Sequence, residues 1–198
     1  MGFDLFGLNP KIKEGSVKPE RPTDMKDQAE IDEYVSALEK FESENKGYYF
    51  RNNNWWWRPL ANFVINNTLC IEKKDIENWQ VNDGHKVNKE TAEQIAKQLY
   101  HLIEIGEVKR HEEELAKIAK QAKEHNKKLQ KKFDALEKKV IEKTGSKDIA
   151  PADYPKEFKE EWDRLWADKD WRDSYPFSVS NVKEFADFCK ESGGFEIC

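Results

Sequence analysis

The chain has 198 residues, 37% of them charged, with a formal net charge of -5 and a mean hydropathy of -0.96. That length suits one domain, or one domain with an extension, and so small a net charge creates no global field to recruit nucleic acid or a membrane surface. Aromatic residues make up 12%, which excludes wholesale disorder and leaves long solvated helices to carry the polarity.

Residues 2–8 form a short apolar segment with β character, ended by Asn9-Pro10. Prolines at 10, 19 and 22 make residues 9–23 a loop. Asp24 is the expected cap of a helix reaching about Asn45, with Ile31, Tyr34, Val35, Leu38 and Phe41 on one stripe. Next comes Arg51-Asn52-Asn53-Asn54-Trp55-Trp56-Trp57-Arg58, holding three of the seven tryptophans. The apolar spacing of Leu60, Phe63, Val64 and Leu69 predicts a second helix over Trp56–Leu69, with Pro59 in its first turn. Trp79-x-x-Asn82-Asp83-Gly84-His85 carries a turn signature. Asn88 then caps a third helix to Ile105, with Ala92, Ile95, Ala96, Leu99, Leu102 and Ile103 on one face, and Gly106 stops or bends it.

From Glu107 to Lys143, Val108, His111, Leu115, Ile118, Ala122, His125, Leu129, Leu136 and Val140 fall at 3–4 spacing. This heptad-like seam is too thin to bury itself, so it should pack along another helix or along a second subunit. Pro155–Lys169 reads as a short helix with Phe158, Trp162, Leu165 and Trp166 on one side. The last helix, capped by Ser178 or Ser180, turns Val182, Phe185, Ala186 and Cys189 inward. The alternating Phe195–Cys198 segment is expected to pair with the N-terminal segment.

The predicted fold is therefore mainly α. It has a compact helical core, a small two-stranded β element joining the termini, and a long charged, coiled-coil-like arm. Residues 1–106 supply the first part of the core, with 11–46 an insertion; 107–147 form the arm, and 148–198 complete the core.

The tryptophan run has two readings. It is a core anchor between helices, or it is a wall on which a flat ligand stacks while Arg51 and Arg58 hold an anionic group and the asparagines read a heterocycle edge. On the second reading the ligand-binding residues are Arg51, Asn52, Asn53, Trp55, Trp56, Trp57, Arg58, Trp79, Asn82, Asp83 and His85. No catalytic residue, metal ligand or cofactor is assigned: the chain has no nucleophile elbow, phosphate-cradling glycine loop or His-Glu-x-x-His. Cys70, Cys189 and Cys198 are widely spaced and odd in number, which with the lack of a signal sequence or long apolar run predicts a reducing cytoplasm.

Met1-Gly2-Phe3-Asp4-Leu5-Phe6-Gly7, the Tyr49–Leu60 run, Asn82-Asp83-Gly84, Phe177-Ser178-Val179-x-Asn181-Val182-x-Glu184-Phe185-Ala186 and Ser192-Gly193-Gly194-Phe195-Glu196 together resemble a group of uncharacterised bacteriophage and prophage proteins. Asn54 stands where that pattern has an apolar residue, and 11–46 and 107–173 read as elaborations. The resemblance implies an accessory protein acting in the host bacterial cytoplasm, and it brings no activity with it. Two functions are expected from this setting. The first is non-catalytic binding of a small, flat, anionic, nucleotide-type ligand, as in sequestering a host immune signal. The second is occupation of a host defence or metabolic protein by the charged arm. A homodimer through 107–143 is a further expectation. Membrane and nucleic acid are not expected partners, because the arm's lysines alternate with glutamates and lack interleaved aromatics.

Overall fold

The computed structural model describes residues 2–23 and 26–198. In chain order these form β1 (Gly2–Gly7), α1 (Gln28–Glu44), β2 (Tyr49–Asn53), α2 (Asn54–Asn67), β3 (His85–Val87), α3 (Lys89–Glu104), α4 (Glu107–Thr144), α5 (Lys156–Ala167), α6 (Val179–Glu191) and β4 (Phe195–Ile197), with short 3-10 turns between. The class is mainly α. Among the described residues no helix is long and apolar enough to cross a membrane.

The sheet has four antiparallel strands in the order β2-β1-β4-β3, not the two expected. β1 pairs with β4 in the register Leu5↔Ile197 and with β2 in the register Leu5↔Phe50. β3 adds to β4 through Val87↔Phe195. The two additional strands are short and polar, so neither shows clear two-residue alternation. Phe3 and Leu5 point to the same face of β1, as the pleat requires, and both are buried. They meet Phe50, Phe195 and Ile197 of the other strands and the inner faces of α2, α3 and α6 in one core.

Two compact units divide the chain: Met1–Glu112 with Pro176–Cys198, and Glu113–Tyr175. In the first, α3 packs on α6. The cap positions read from the sequence are occupied: Asn88 accepts from the Thr91 amide at 2.8 Å and Ser178 from the Asn181 amide at 3.2 Å. The expected Asp24 cap lies outside the described residues. Helix α1 is capped instead by Asp27, which accepts from Ala29 and Glu30. Of its expected apolar stripe only Phe41 is buried, and Val35 is exposed, because α1 has little of the core to lie against. Its C-terminal end is held by the buried Asn45, whose amide donates to the Phe41 carbonyl and Ser16 hydroxyl and accepts from the Lys13 amide.

Glycine is required where three chain turns meet. A Cβ on Gly47 would lie 2.2 Å from the Glu191 carbonyl carbon and oxygen. One on Gly193, at φ +63°, would lie 2.2 Å from the Asn9 carbonyl oxygen. Neither position has space for a side chain.

In the second unit the α4 seam is covered by this same chain. Ala122, Leu129, Leu136 and Val140 are at most 2% exposed. The returning segment reaches α4 through Phe133 against Trp162, Lys143 against Glu157 and Asn126 against Asp170 and Asp173. Burial of the seam therefore does not call for a second subunit. α5, expected to complete the first core, groups with α4 here, where Trp162 meets Phe133 of that helix and Trp166 stacks on Trp162.

Candidate functional site

The tryptophan run starts α2 two residues earlier than its apolar spacing suggests. Asn53 is the N-cap, accepting from the Trp55 and Trp56 amides at 3.0 and 3.1 Å, so its side-chain oxygen is already engaged. Successive helical residues diverge by about 100°, and the three indoles separate accordingly. Trp55 is 44% exposed, Trp56 half-buried and Trp57 fully buried. Trp57 then continues through Leu60, Ala61 and Val64 as one buried face.

The Trp57 ring stacks on Phe3 at 5.1 Å and on Trp79 at 6.0 Å. Its indole N–H donates to the Trp79 carbonyl at 2.8 Å. Trp79 is itself 1% exposed, with Phe185 and Phe195 at its edges. The two motifs singled out from the sequence do meet, but through the core. Trp57 and Trp79 present no free face to a ligand, which corrects the expectation that they form a stacking wall.

The other residues of that expected site are dispersed or engaged. Arg51 is exposed and pairs with Asp4 at 3.4 Å. That carboxylate also accepts from the Tyr49 hydroxyl, whose ionisation is pushed up by burial and then by this bond. Asn52 donates to the Asn181 side chain at 3.1 Å, joining β2 to α6. Asn82 donates to the Gly2 carbonyl at 3.2 Å. Arg58 and Asp83 are exposed. His85 is half-buried in β3 and borders, with Trp79, Cys70 and Thr91, a hollow of about 70 Å³, room for a few waters and not for a nucleotide. Arg51, Trp55, Arg58 and Asn82 are thus left as surface groups of the first unit.

No local sequence signal announces the ionic knot at the buried Asp187. It accepts from Lys46 at 2.8 Å, the Tyr100 hydroxyl at 2.5 Å and Lys183 at 2.9 Å. Burial pushes its carboxyl up, and the bonds from Lys46, Tyr100 and Lys183 outweigh that, holding it at about 2. All its partners lie within the first unit, so it fastens the α1–β2 turn and α3 to α6. It is a structural tie, with every acceptor direction filled.

A wider hollow lies in the second unit. About 390 Å³ is enclosed by Leu129 and Phe133 of α4, Trp162 and Trp166 of α5, and the polar groups of Asn126, Gln130, Lys169 and Asp173. Trp162 and Trp166, one helical turn apart, stack at 5.1 Å and 10°. Phe133 meets Trp162 at a steep angle, and Trp171 meets Trp166 edge-on at 5.4 Å. The Lys169 ammonium sits 5.1 Å from the Trp166 ring and 4.2 Å from the Trp171 ring, a cation–π geometry that holds it over the aromatic wall. Asn126 fixes one rim, donating to the Asp170 carbonyl and the Asp173 carboxylate and accepting from the Asp170 amide. Trp166 remains 44% exposed, so its indole is reachable from solvent.

A second opening, about 480 Å³ beside Gln94, Lys97, Gln98 and His101 of α3, is shallow and has no aromatic wall. Among the described residues no group of three or more His, Cys, Asp or Glu side chains could hold a metal ion. The chain matches no protein-family model, no curated protein and no solved structure.

Proposed function

We propose that this protein acts by binding, without catalysis, a small, flat, anionic ligand of nucleotide type, and that the ligand's seat is the Phe133–Trp162–Trp166 hollow. The observation that carries this reading is a stacked indole pair whose Trp166 is reachable from solvent, with the Lys169 ammonium held over Trp166 and Trp171. A base or similar ring lies against Trp166, Lys169 neutralises the anionic group, and the remaining acceptor capacity of Asp173 takes ring N–H groups. The hollow's volume falls in the range of small-molecule sites.

In a bacteriophage setting, which the sequence motifs suggest, binding without turnover amounts to sequestering a host nucleotide signal. Arg51, Trp55, Trp56, Arg58 and Asn82 are not the seat on this reading, since no enclosing wall accompanies them. Stacking of one base is worth about 1–3 kcal/mol on truncation to alanine, so Trp166→Ala lowers affinity by about 5- to 150-fold. Isothermal titration with a panel of mono-, di- and cyclic dinucleotides tests this. Submillimolar binding lost in Trp166→Ala and kept in Arg51→Ala supports it. Absence of binding across the panel, or equal binding by Trp166→Ala, overturns it.

A further inference from the structure

Helix α4 carries seven lysines and one glutamate between Lys117 and Lys132. All seven lysines are exposed. Lys117, Lys120, Lys127, Lys128 and Lys131 fall within about 100° of one another around the helix, opposite the buried Ala122–Leu129–Leu136 seam. From Lys117 to Lys131 the stripe runs about 21 Å.

Lysines on the same face three or four residues apart repel one another and destabilise a helix. The ends of α4 avoid this by pairing with acids: Arg110 with Glu107, Lys109 with Glu112, Lys139 with Glu161 and Lys143 with Glu157. Among the described residues none of the seven central lysines has such a partner. The alternation of lysine and glutamate along the sequence therefore does not carry over to the surface. The other acids sit toward the two ends, and the middle carries a single acid, the exposed Glu124, on the same face as Lys120, Lys127, Lys128 and Lys131.

We infer that this stripe is a docking surface for the phosphodiester backbone of nucleic acid, bound without base readout. A protein partner fits it poorly. Among the exposed residues from 113 to 132 nothing apolar is larger than Ala116, and protein interfaces draw their energy from a central apolar or aromatic anchor. A phosphate backbone needs no such anchor, because released counterions supply the driving force. The stripe faces away from the seam, so this inference stands apart from the hollow and its ligand.

The test is fluorescence anisotropy of a labelled 20-base-pair DNA duplex and a 20-nucleotide single strand, with polyglutamate of equal total charge as a third probe. The full chain should bind both nucleic acids at 50 mM salt and weaken by 200 mM about 150- to 500-fold on the duplex and about 50- to 130-fold on the single strand, as four or five phosphate contacts require. Lys120→Glu/Lys127→Glu/Lys131→Glu should lose at least about 30-fold while keeping the parent's circular dichroism. The corresponding glutamine variant should fall between the two, and it serves as the test if the glutamate variant does not fold. Absence of binding at 50 mM salt, or unchanged affinity in the folded triple variants, overturns the inference. Polyglutamate binding as tightly as DNA also overturns it, by pointing to an acidic protein.

Discussion

Replacing Asp187 by asparagine keeps the shape of the side chain and removes the charge that three donors share. The amide oxygen can still accept from Tyr100, but the amide nitrogen is turned toward Lys46 or Lys183. A hydrogen bond to a charged group contributes about 1.5–3 kcal/mol net. The Lys46 and Lys183 side chains are 54% and 56% exposed, so water screens them and each adds at most about 1 kcal/mol. Because the Tyr100 bond persists in neutral form, its share of the loss is about 1–1.5 kcal/mol; the sum is about 1–3.5 kcal/mol, or a melting point lower by about 2–14 °C for a chain of this size. Urea unfolding at pH 7 measures it. The pH dependence supplies an independent check with a definite sign. The folded carboxyl titrates at about 2, below its unfolded value of about 3.9. Its stabilisation is therefore complete above about pH 4 and is lost as pH falls toward 2. The gap between parent and Asp187→Asn should be full at pH 7 and narrow between pH 4 and 2. A loss under about 0.5 kcal/mol at pH 7, or a gap that does not change with acid, refutes the reading of Asp187 as the tie between the α1–β2 turn, α3 and α6.

The neighbouring indoles of α2 should behave oppositely. Trp57→Ala should cost about 3–5 kcal/mol in urea unfolding, whereas Trp55→Ala, 44% exposed in the parent, should cost under about 1 kcal/mol. Similar losses at the two positions would contradict the phase set by the Asn53 cap. Gly47→Ala places a methyl against the Glu191 backbone, where neither side can yield easily, and should destabilise by about 2–3 kcal/mol; an unchanged urea midpoint would show that the three turns do not pack as described. Burial pushes the Cys189 thiol well up, so it should react with a thiol reagent only after unfolding, while the half-buried Cys70 and Cys198 react in the native state.

Much of the helical framework was legible from periodicity and caps. Asn88 and Ser178 stand one residue before α3 and α6, and the inward residues of both helices repeat at 3–4 spacing. The strands β2 and β3 were not legible. One is merged into the tryptophan run and the other is three residues inside a turn signature. Tertiary pairing with β1 and β4 makes them strands, and no local signal announces it. The fate of the tryptophans could have been read further. With Asn53 taken as the cap, Trp57, Leu60, Ala61 and Val64 fall on one helical face, which turns Trp55 outward. The aromatic hollow escaped for a different reason. Trp162 and Trp166 do show helical spacing, but the helix they face is set by how the chain returns after Gly145, which spacing alone does not encode.

Calorimetric titration of nucleotides into the parent, Trp166→Ala and an Arg51→Ala/Arg58→Ala double variant separates the aromatic hollow from the arginine-bearing rim. The expected result is a ligand bound by the parent and by the double variant, and lost by 5-fold or more in Trp166→Ala. Loss in the double variant with full retention in Trp166→Ala would place the ligand at the tryptophan triplet and contradict the assignment made here.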